Sequence, residues 1–468
     1  MSKKNEASKT NAKAVQTELF TGKFDSGIQE GGRTSRRDQR MELFSRLEEQ
    51  RTLTKSTMDS VSDTLHLLHA FKRVRENGGS AGIDGVTLND YSQNLTLRIN
   101  SLRQRLNSDT YEPSAVRGVE IEKPTGGTRL LGIPTVEDRI VQQSIQNELQ
   151  RIFDPYFSEN SFGFRPGRSA HQAIERARDY VKEGKIWVVD IDLKSFFDQI
   201  NHDRLMNRLR NSISDKRLLK LIHKFLRAGL MKDGFETQRV SGTPQGGPLS
   251  PLLSNIVLDE LDKELEARGL SFVRYADDCN ILVSSERSAH RVFESMIAFI
   301  EGKLKLKVNL EKSGVRRCDD VKFLGHTVMG DGKIRIADKS IESFKKKIRE
   351  VTKRNRAIPL GRLISETNLV IQGWATYFRK CNTWLSGLRD MDGWIRNRIR
   401  CYALKSHGRK YPTFCFLRSL GVEPNRSWNA VKFHGWWSMA NLNYVRNGMG
   451  LAWFAGLGLR SLIVVQRG

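Results

Sequence analysis

The sequence predicts an α+β fold that gives way to a largely helical C-terminal portion, on three observations. From Leu65 onward the apolar content is strong but mixed in period, as strands interleaved with helices require. Two stretches, beginning at Trp187 and spanning 270–283, are rich in Val, Ile, Phe and Leu and short enough for buried strands. Past Ile341 the apolar residues recur at spacings of three and four, clearest in 341–351 and 363–371.

The 468 residues allow several domains and a sizeable core. Residues 1–55 are polar, poor in aromatics and rich in Lys, Ser, Thr, Glu and Gln, so about the first 35 are expected to be disordered. Met41–Gln50 is expected to form a helix leading into the fold.

In the run Trp187-Val-Val-Asp-Ile-Asp-Leu-Lys-Ser-Phe-Phe-Asp198 the first residues read as a strand. Side chains alternate along a strand, so Asp190 and Asp192 share one face while Val189 and Ile191 take the other. Two acids on one face of a buried strand are unusual; an edge strand with solvated acids is the plainer alternative. The tetrapeptide Tyr275-Ala276-Asp277-Asp278 sits between two apolar runs and reads as a turn joining two buried strands. Adjacent carboxylates repel, and a divalent metal is the usual reason to keep them together. An Asp-Asp pair by itself also fits an ordinary solvated turn.

The pairing of Asp192-Leu-Lys-Ser-Phe-Phe197 with Tyr275-Ala-Asp-Asp278 resembles the two acidic motifs of reverse transcriptases, in which an Asp precedes an aromatic by five residues. That spacing selects Asp192 over Asp190. Further motifs follow in the order of group II intron reverse transcriptases, or maturases: Asn77-Gly-Gly-Ser-Ala-Gly-Ile-Asp-Gly85, Glu122-Lys-Pro-Thr-Gly-Gly-Thr-Arg129, Leu131-Gly-Ile-Pro-Thr-Val-Glu-Asp-Arg139, Ser161-Phe-Gly-Phe-Arg-Pro-Gly-Arg168, the Gly242–Asn255 run, Asn309-Leu-Glu-Lys312 and Phe323-Leu-Gly-His326. Gly373-Trp-Ala-Thr-Tyr-Phe378 and Asp392-Gly-Trp-Ile-Arg-Asn-Arg398 resemble the maturase region. The resemblance covers roughly residues 65–455.

The resemblance implies a right-hand polymerase: fingers over 56–185, a palm with an antiparallel sheet over 186–335, a helical thumb (maturase domain) over 336–405, and a basic, Trp-rich nucleic-acid-binding region over 406–468. It implies that Asp192, Asp277 and Asp278 are the catalytic metal ligands, holding two Mg2+ ions for which Mn2+ can substitute. Such ions lie about 3.5–4 Å apart and suit in-line attack of a primer 3'-hydroxyl on the α-phosphate of a deoxynucleotide. Phe197 would pack under the incoming sugar and clash with a 2'-hydroxyl. Lys123 and Arg129 flank a Pro-Thr-Gly-Gly turn and would reach a triphosphate, Lys as a point charge and Arg as a fork. Gln245, in a stretch whose glycines allow close backbone approach, would bond a nucleotide or template strand. Lys312 would lie near the leaving pyrophosphate.

Composition supports a polyanionic partner. The net charge is +25 and the pI about 10.0, and residues 341–468 hold 23 Lys+Arg against 6 Asp+Glu, about two-thirds of the excess. Seven of the eight Trp also lie there, Trp187 being the exception. Basic residues interleaved with aromatics fit a surface that follows phosphates and stacks on bases, although Trp374 and Trp394 are expected to serve helix packing. The clusters Lys345–Arg349 and Arg396–Arg400 read either as nucleic-acid contacts or as solvated helix faces. The expected partners are intron RNA, an RNA template, a DNA primer or target and deoxynucleotides; the oligomeric state stays open.

No apolar run approaches 18 residues and no secretory signal opens the chain, so no membrane partner and a cytoplasmic location are expected. Five scattered cysteines without Cys-x-x-Cys spacing argue against structural zinc and a disulfide framework. The resemblance is to members lacking the C-terminal His-Asn-His endonuclease, which would take a primer from replication forks or existing nicks. There is no Walker-type motif, and Gly448-Met-Gly450 is only a fragment of a dinucleotide loop. Three functions remain: an intron-encoded polymerase that also binds its own intron RNA to assist splicing and mobility, a relative detached from any intron and working in DNA repair or defence, and a non-catalytic RNA-binding splicing factor. Retention of three acids weakens the last, and Ala276 favours the first.

Overall fold

The structure, a computed structural model, describes residues 58–467 apart from 123–127, 233–234, 238–241, 243–245, 382–384 and 434. The polar extension over 1–55, the expected helix Met41–Gln50, Lys123, Gln245 and the side chain of Arg129 lie outside the described residues.

The chain opens with four helices: α1 (Met58–Ser62), α2 (Thr64–Asn77), α3 (Leu88–Gln93) and α4 (Leu95–Asn107). Asp63 caps α2 by accepting the N–H groups of Leu65 and His66, which would otherwise be orphaned, and Leu67, Ala70, Phe71 and Val74 form its buried stripe. A hairpin of β1 (Val116–Glu122) and β2 (Thr128–Ile133) follows, pairing Glu122 with Thr128 across the expected basic turn. Next come α5 (Val136–Phe153), buried along most of its length, and α6 (Ala170–Lys182), opened by a capping box of Ser169 and Gln172.

The central portion runs through β3 (Trp187–Ile191), α7 (Phe196–Gln199), α8 (His202–Arg210), α9 (Lys216–Arg227), β4 (Leu230–Lys232), β5 (Phe235–Thr237), α10 (Ser250–Ala267), β6 (Ser271–Tyr275), β7 (Asp278–Val283), α11 (Glu286–Phe299) and β8 (Gly314–Arg317). One sheet has the order β2-β1-β4-β5. The other, β6-β7-β3-β8, is antiparallel throughout. Its two faces feed different cores. Val189, Ile191, Phe272, Cys279 and Ile281 join the large core built with α2, α5 and α10, while Val188, Val273 and Leu282 pack with Ala173, Ile174 and Ala177 of α6. The strand-like run Leu306–Leu310 forms only an isolated bridge, between Val308 and Leu193.

A two-stranded ribbon of β9 (His326–Val328) and β10 (Ile334–Ile336) leads into helices alone: α12 (Asp338–Val351), α13 (Leu360–Tyr377), α14 (Leu385–Ser406), α15 (Lys410–Ser419), α16 (Pro424–Lys432), α17 (Trp436–Asn441), α18 (Asn443–Gly448), α19 (Leu451–Gly456) and α20 (Leu462–Arg467). The three-and-four spacing thus marks real helices, with Phe344, Ile348, Leu363, Ile364 and Ile371 in one core. Trp374 lies between Phe344 and Phe378, at ring-centroid distances of 4.5 and 4.8 Å. Among the described residues no helix is long and apolar enough to cross a membrane.

Candidate active site

The face of the antiparallel sheet that packs on α6 is apolar at one end and acidic at the other. Val188 pairs with Leu282 and Asp190 with Asn280; the same register, continued by two residues, sets Asp192 across from Asp278. Directly opposed residues share a face, so the strand alternation that separates Asp190 and Asp192 from Ile191 also gathers Asp278 beside them. Tyr275 pairs with Asp278, leaving Ala276 and Asp277 as a two-residue turn. Asp278 is half-buried, and its carboxyl is pushed up to about 7, first by loss of water and then by the charges of Asp190, Asp277 and Asp192.

The turn is held from beneath by Arg274, which is fully buried in β6. Its Nε and Nη2 donate to both oxygens of Asp262, at 2.7 and 2.6 Å; Nη2 also donates to Ser161 Oγ (2.8 Å), and Nη1 to Asn255 Oδ1 (3.0 Å) and the Ala276 carbonyl (2.7 Å). Every guanidinium donor is therefore engaged, as a buried cation requires. Ala276 has φ +58°, a left-handed conformation that costs a non-glycine residue about 1 kcal/mol or more. Gly163 completes the support, because a Cβ there would come within 2.3 Å of the Ala276 nitrogen.

Asp192 is fixed from the opposite side. Its N–H donates to Ser313 Oγ (2.8 Å), its carbonyl accepts the Asn309 N–H (2.8 Å), and Asn309 Nδ2 donates to its Oδ2 at 3.0 Å. Lys312 Nζ lies 3.5 Å from the same oxygen, with both side chains substantially exposed. Asp190 instead receives Arg316 Nη1 at 3.0 Å, so each of the two acids has its own cation partner. Ser195, at φ +46°, turns the chain into α7, where Phe197 is half-buried and edge-on to Phe196 at 5.4 Å. Gly242 packs on this turn, since a Cβ would meet the Phe197 carbonyl at 2.8 Å.

The donor set fits a hard divalent cation. Four carboxylates converge electrostatically: loss of water, then the charges of Asp190, Asp277 and Asp192, hold Asp278 far above its ordinary range, although Asp190 is also paired with Arg316. Among the described residues no three ligand-type side chains close into a preformed cage.

The reverse transcriptase (RNA-dependent DNA polymerase) family matches residues 121–328, and the group II intron maturase-specific domain matches 341–419. YkfC of Escherichia coli (strain K12) is 34% identical over 287 residues, covering 53% of this chain and 75% of YkfC. The chain belongs to the group II intron reverse transcriptase and maturase family. The group II intron-encoded protein LtrA of Lactococcus lactis subsp. cremoris is 35% identical over 254 residues, but the match spans only 41% of LtrA and 53% of this chain. A chain of a partial Cas6-RT-Cas1–Cas2 complex is 26% identical over 53% of this chain and 43% of its own, at a TM-score of 0.34 that carries no argument.

Within the reverse transcriptase domain the acidic motifs and Lys312 come together at one end of the sheet, while Phe197 packs edge-on to Phe196 on α7. Arg129 lies on β2, opposite Ile121. Sequence reasoning missed Arg274, Asp262 and Asn309 as supports; the available signal was a charged residue inside an apolar strand. In the maturase domain the second basic cluster is not a solvated face. Arg400 is 7% exposed and donates to the Met449 carbonyl at 3.0 Å, and burial lowers its guanidinium to about 10. Arg398 donates to Thr352 Oγ1 at 2.7 Å and lies over Trp394.

Proposed function

We propose that this reverse transcriptase is encoded by a group II intron, extends a DNA primer on an RNA template, and binds its intron RNA to assist splicing and mobility. The observation that carries the polymerase reading is Asp278, half-buried beside three further carboxylates at the end of β3 and at the β6–β7 turn. On this reading residues 56–185 are fingers, 186–335 the palm, 336–405 the thumb and 406–468 a nucleic-acid-binding region, at work in the cytosol.

Asp192, Asp277 and Asp278 would hold two Mg2+ ions, with Mn2+ as substitute, which neutralise the triphosphate and make the primer hydroxyl more acidic when bound. Asn309 and Ser313 hold Asp192 in place, which would leave little reorganisation for the chemical step. Arg274 does the same for the turn that carries Asp277. Lys312, 3.5 Å from Asp192, would meet the charge of the departing pyrophosphate. Lys123 and Arg129 would grip the triphosphate, Gln245 the template or nucleotide, and Phe197 the sugar. Asp190, bound to Arg316, serves as structure and field.

Primer extension on RNA tests the first part. Retention assays with the folded intron that flanks the coding sequence test the second, and absence of such an intron would remove it.

A further inference from the structure

We propose that a ladder of three aromatic rings on α15 and α16 is a docking surface for single-stranded RNA. The proposal rests on the RNA-binding part of the function proposed above and gives it a place. Tyr411 and Phe414 stack at 6.2 Å with 23° between their planes, and Phe414 and Trp428 at 4.4 Å with 22°.

These rings stand outside the local core. Thr413 and Leu417 of α15 and Ser427, Ala430 and Val431 of α16 take the buried positions, whereas Tyr411 is 65% and Trp428 41% exposed. Exposed aromatics grouped in near-parallel stacks mark a binding surface more often than chance solvation. The ring faces at the two ends are the kind of platform on which unpaired bases stack.

Charge selects the occupant. Between residues 407 and 433 there are five Lys and Arg and one acid, Glu423, and Glu423 is taken by Arg426 at 3.0 Å. Arg409 and Lys410 flank Tyr411 at one end, and Lys432 lies one turn past Trp428 at the other; all three are exposed. None of them has a carboxylate within 4.0 Å among the described residues. A polyanion with open π-faces satisfies both rings and cations, while a duplex hides its base faces and satisfies only the cations. RNA is the assigned strand because α15 closes the matched maturase-specific segment, residues 341–419.

The test uses the full chain and fluorescence anisotropy with an unstructured 15-nucleotide RNA, the same sequence as DNA, and the RNA as a duplex. Tyr411→Ala with Trp428→Ala is expected to weaken single-stranded RNA binding about tenfold or more. Duplex affinity should hold within about twofold, and the thermal midpoint should stay unchanged. Tyr411→Phe with Trp428→Phe keeps the rings and should keep the binding. Lys410→Gln with Lys432→Gln should lower the slope of log affinity against log salt by up to about 1.4. Unchanged single-strand affinity in the double alanine variant, an equal loss on the duplex, or a preference for the DNA strand would overturn the proposal. If the alanine variant binds oligonucleotides like wild type while intron RNA is still retained, the ladder alone is wrong. Failure of the wild-type chain to retain intron RNA would overturn the maturase reading and the assigned occupant with it.

Discussion

Arg274 Nη1 donates to the Ala276 carbonyl at 2.7 Å, so a buried cation two residues upstream fixes the left-handed residue on which the Asp277-Asp278 pair turns. The same guanidinium is locked to Asp262 by two bonds. The aim of the acidic turn therefore depends on a group that touches no substrate.

Arg274→Gln should cost about 3–5 kcal/mol of stability, because it strands a buried carboxylate. Adding Asp262→Asn removes that charge and should recover part of the loss in urea unfolding. DNA synthesis should nevertheless stay down by about a hundredfold in the double variant, because the Ala276 carbonyl is no longer held. Recovery of rate together with stability would reduce Arg274 to a structural ion pair.

The shift of Asp278 has a definite sign. Its folded-state value of about 7 lies above the ordinary carboxylate value. Without metal, the folded protein therefore loses stability as pH rises from about 4 to 7, and the penalty is fully present above 7. Asp278→Asn should stabilise the metal-free protein at pH 8 by on the order of 2–4 kcal/mol, with the gain vanishing near pH 4. Thermal melts across pH check this. Mg2+ should raise the wild-type midpoint more at pH 8 than at pH 6, and scarcely move the variant.

Phe197 stands at the head of α7, five residues after Asp192 and edge-on to Phe196. Replacement by Ala or Val should admit ribonucleotides, read as the ratio of kcat/KM values for a ribonucleotide and its deoxy counterpart. An unchanged ratio would remove Phe197 from the gate.

Much of this arrangement was legible in the sequence. Apolar runs on either side of Tyr275–Asp278 forced a hairpin, and strand alternation alone put Asp190 and Asp192 on one face. What stayed hidden depended on distant partners. A charged Arg274 inside a buried strand looks unfavourable until Asp262, Asn255 and Ser161 arrive from α10 and from a segment more than a hundred residues upstream. Leu306–Leu310 has the composition of a strand but makes a single bridge, with Asn309 bound instead to Asp192. Charge on a helix also concealed burial. Arg398 and Arg400 belong to a basic cluster, yet bond to Thr352 and Met449.

That difference separates the two basic clusters experimentally. Lys345→Gln with Lys346→Gln should leave the thermal midpoint intact and lower the salt slope of RNA binding by up to about 1.4. Arg400→Gln should lower the midpoint by several degrees, since a buried donor to the Met449 carbonyl is lost, by about 1–3 kcal/mol.

The central claim is that the carboxylates at the β6–β7 turn and Asp192 perform nucleotidyl transfer. Primer extension on an RNA template with Mg2+, comparing wild type with Asp277→Ala plus Asp278→Ala, tests it most directly. The expected result is DNA synthesis by the wild type, none by the variant, and RNA affinity within a few-fold for both. Substantial Mg2+-dependent synthesis by the variant would contradict the account.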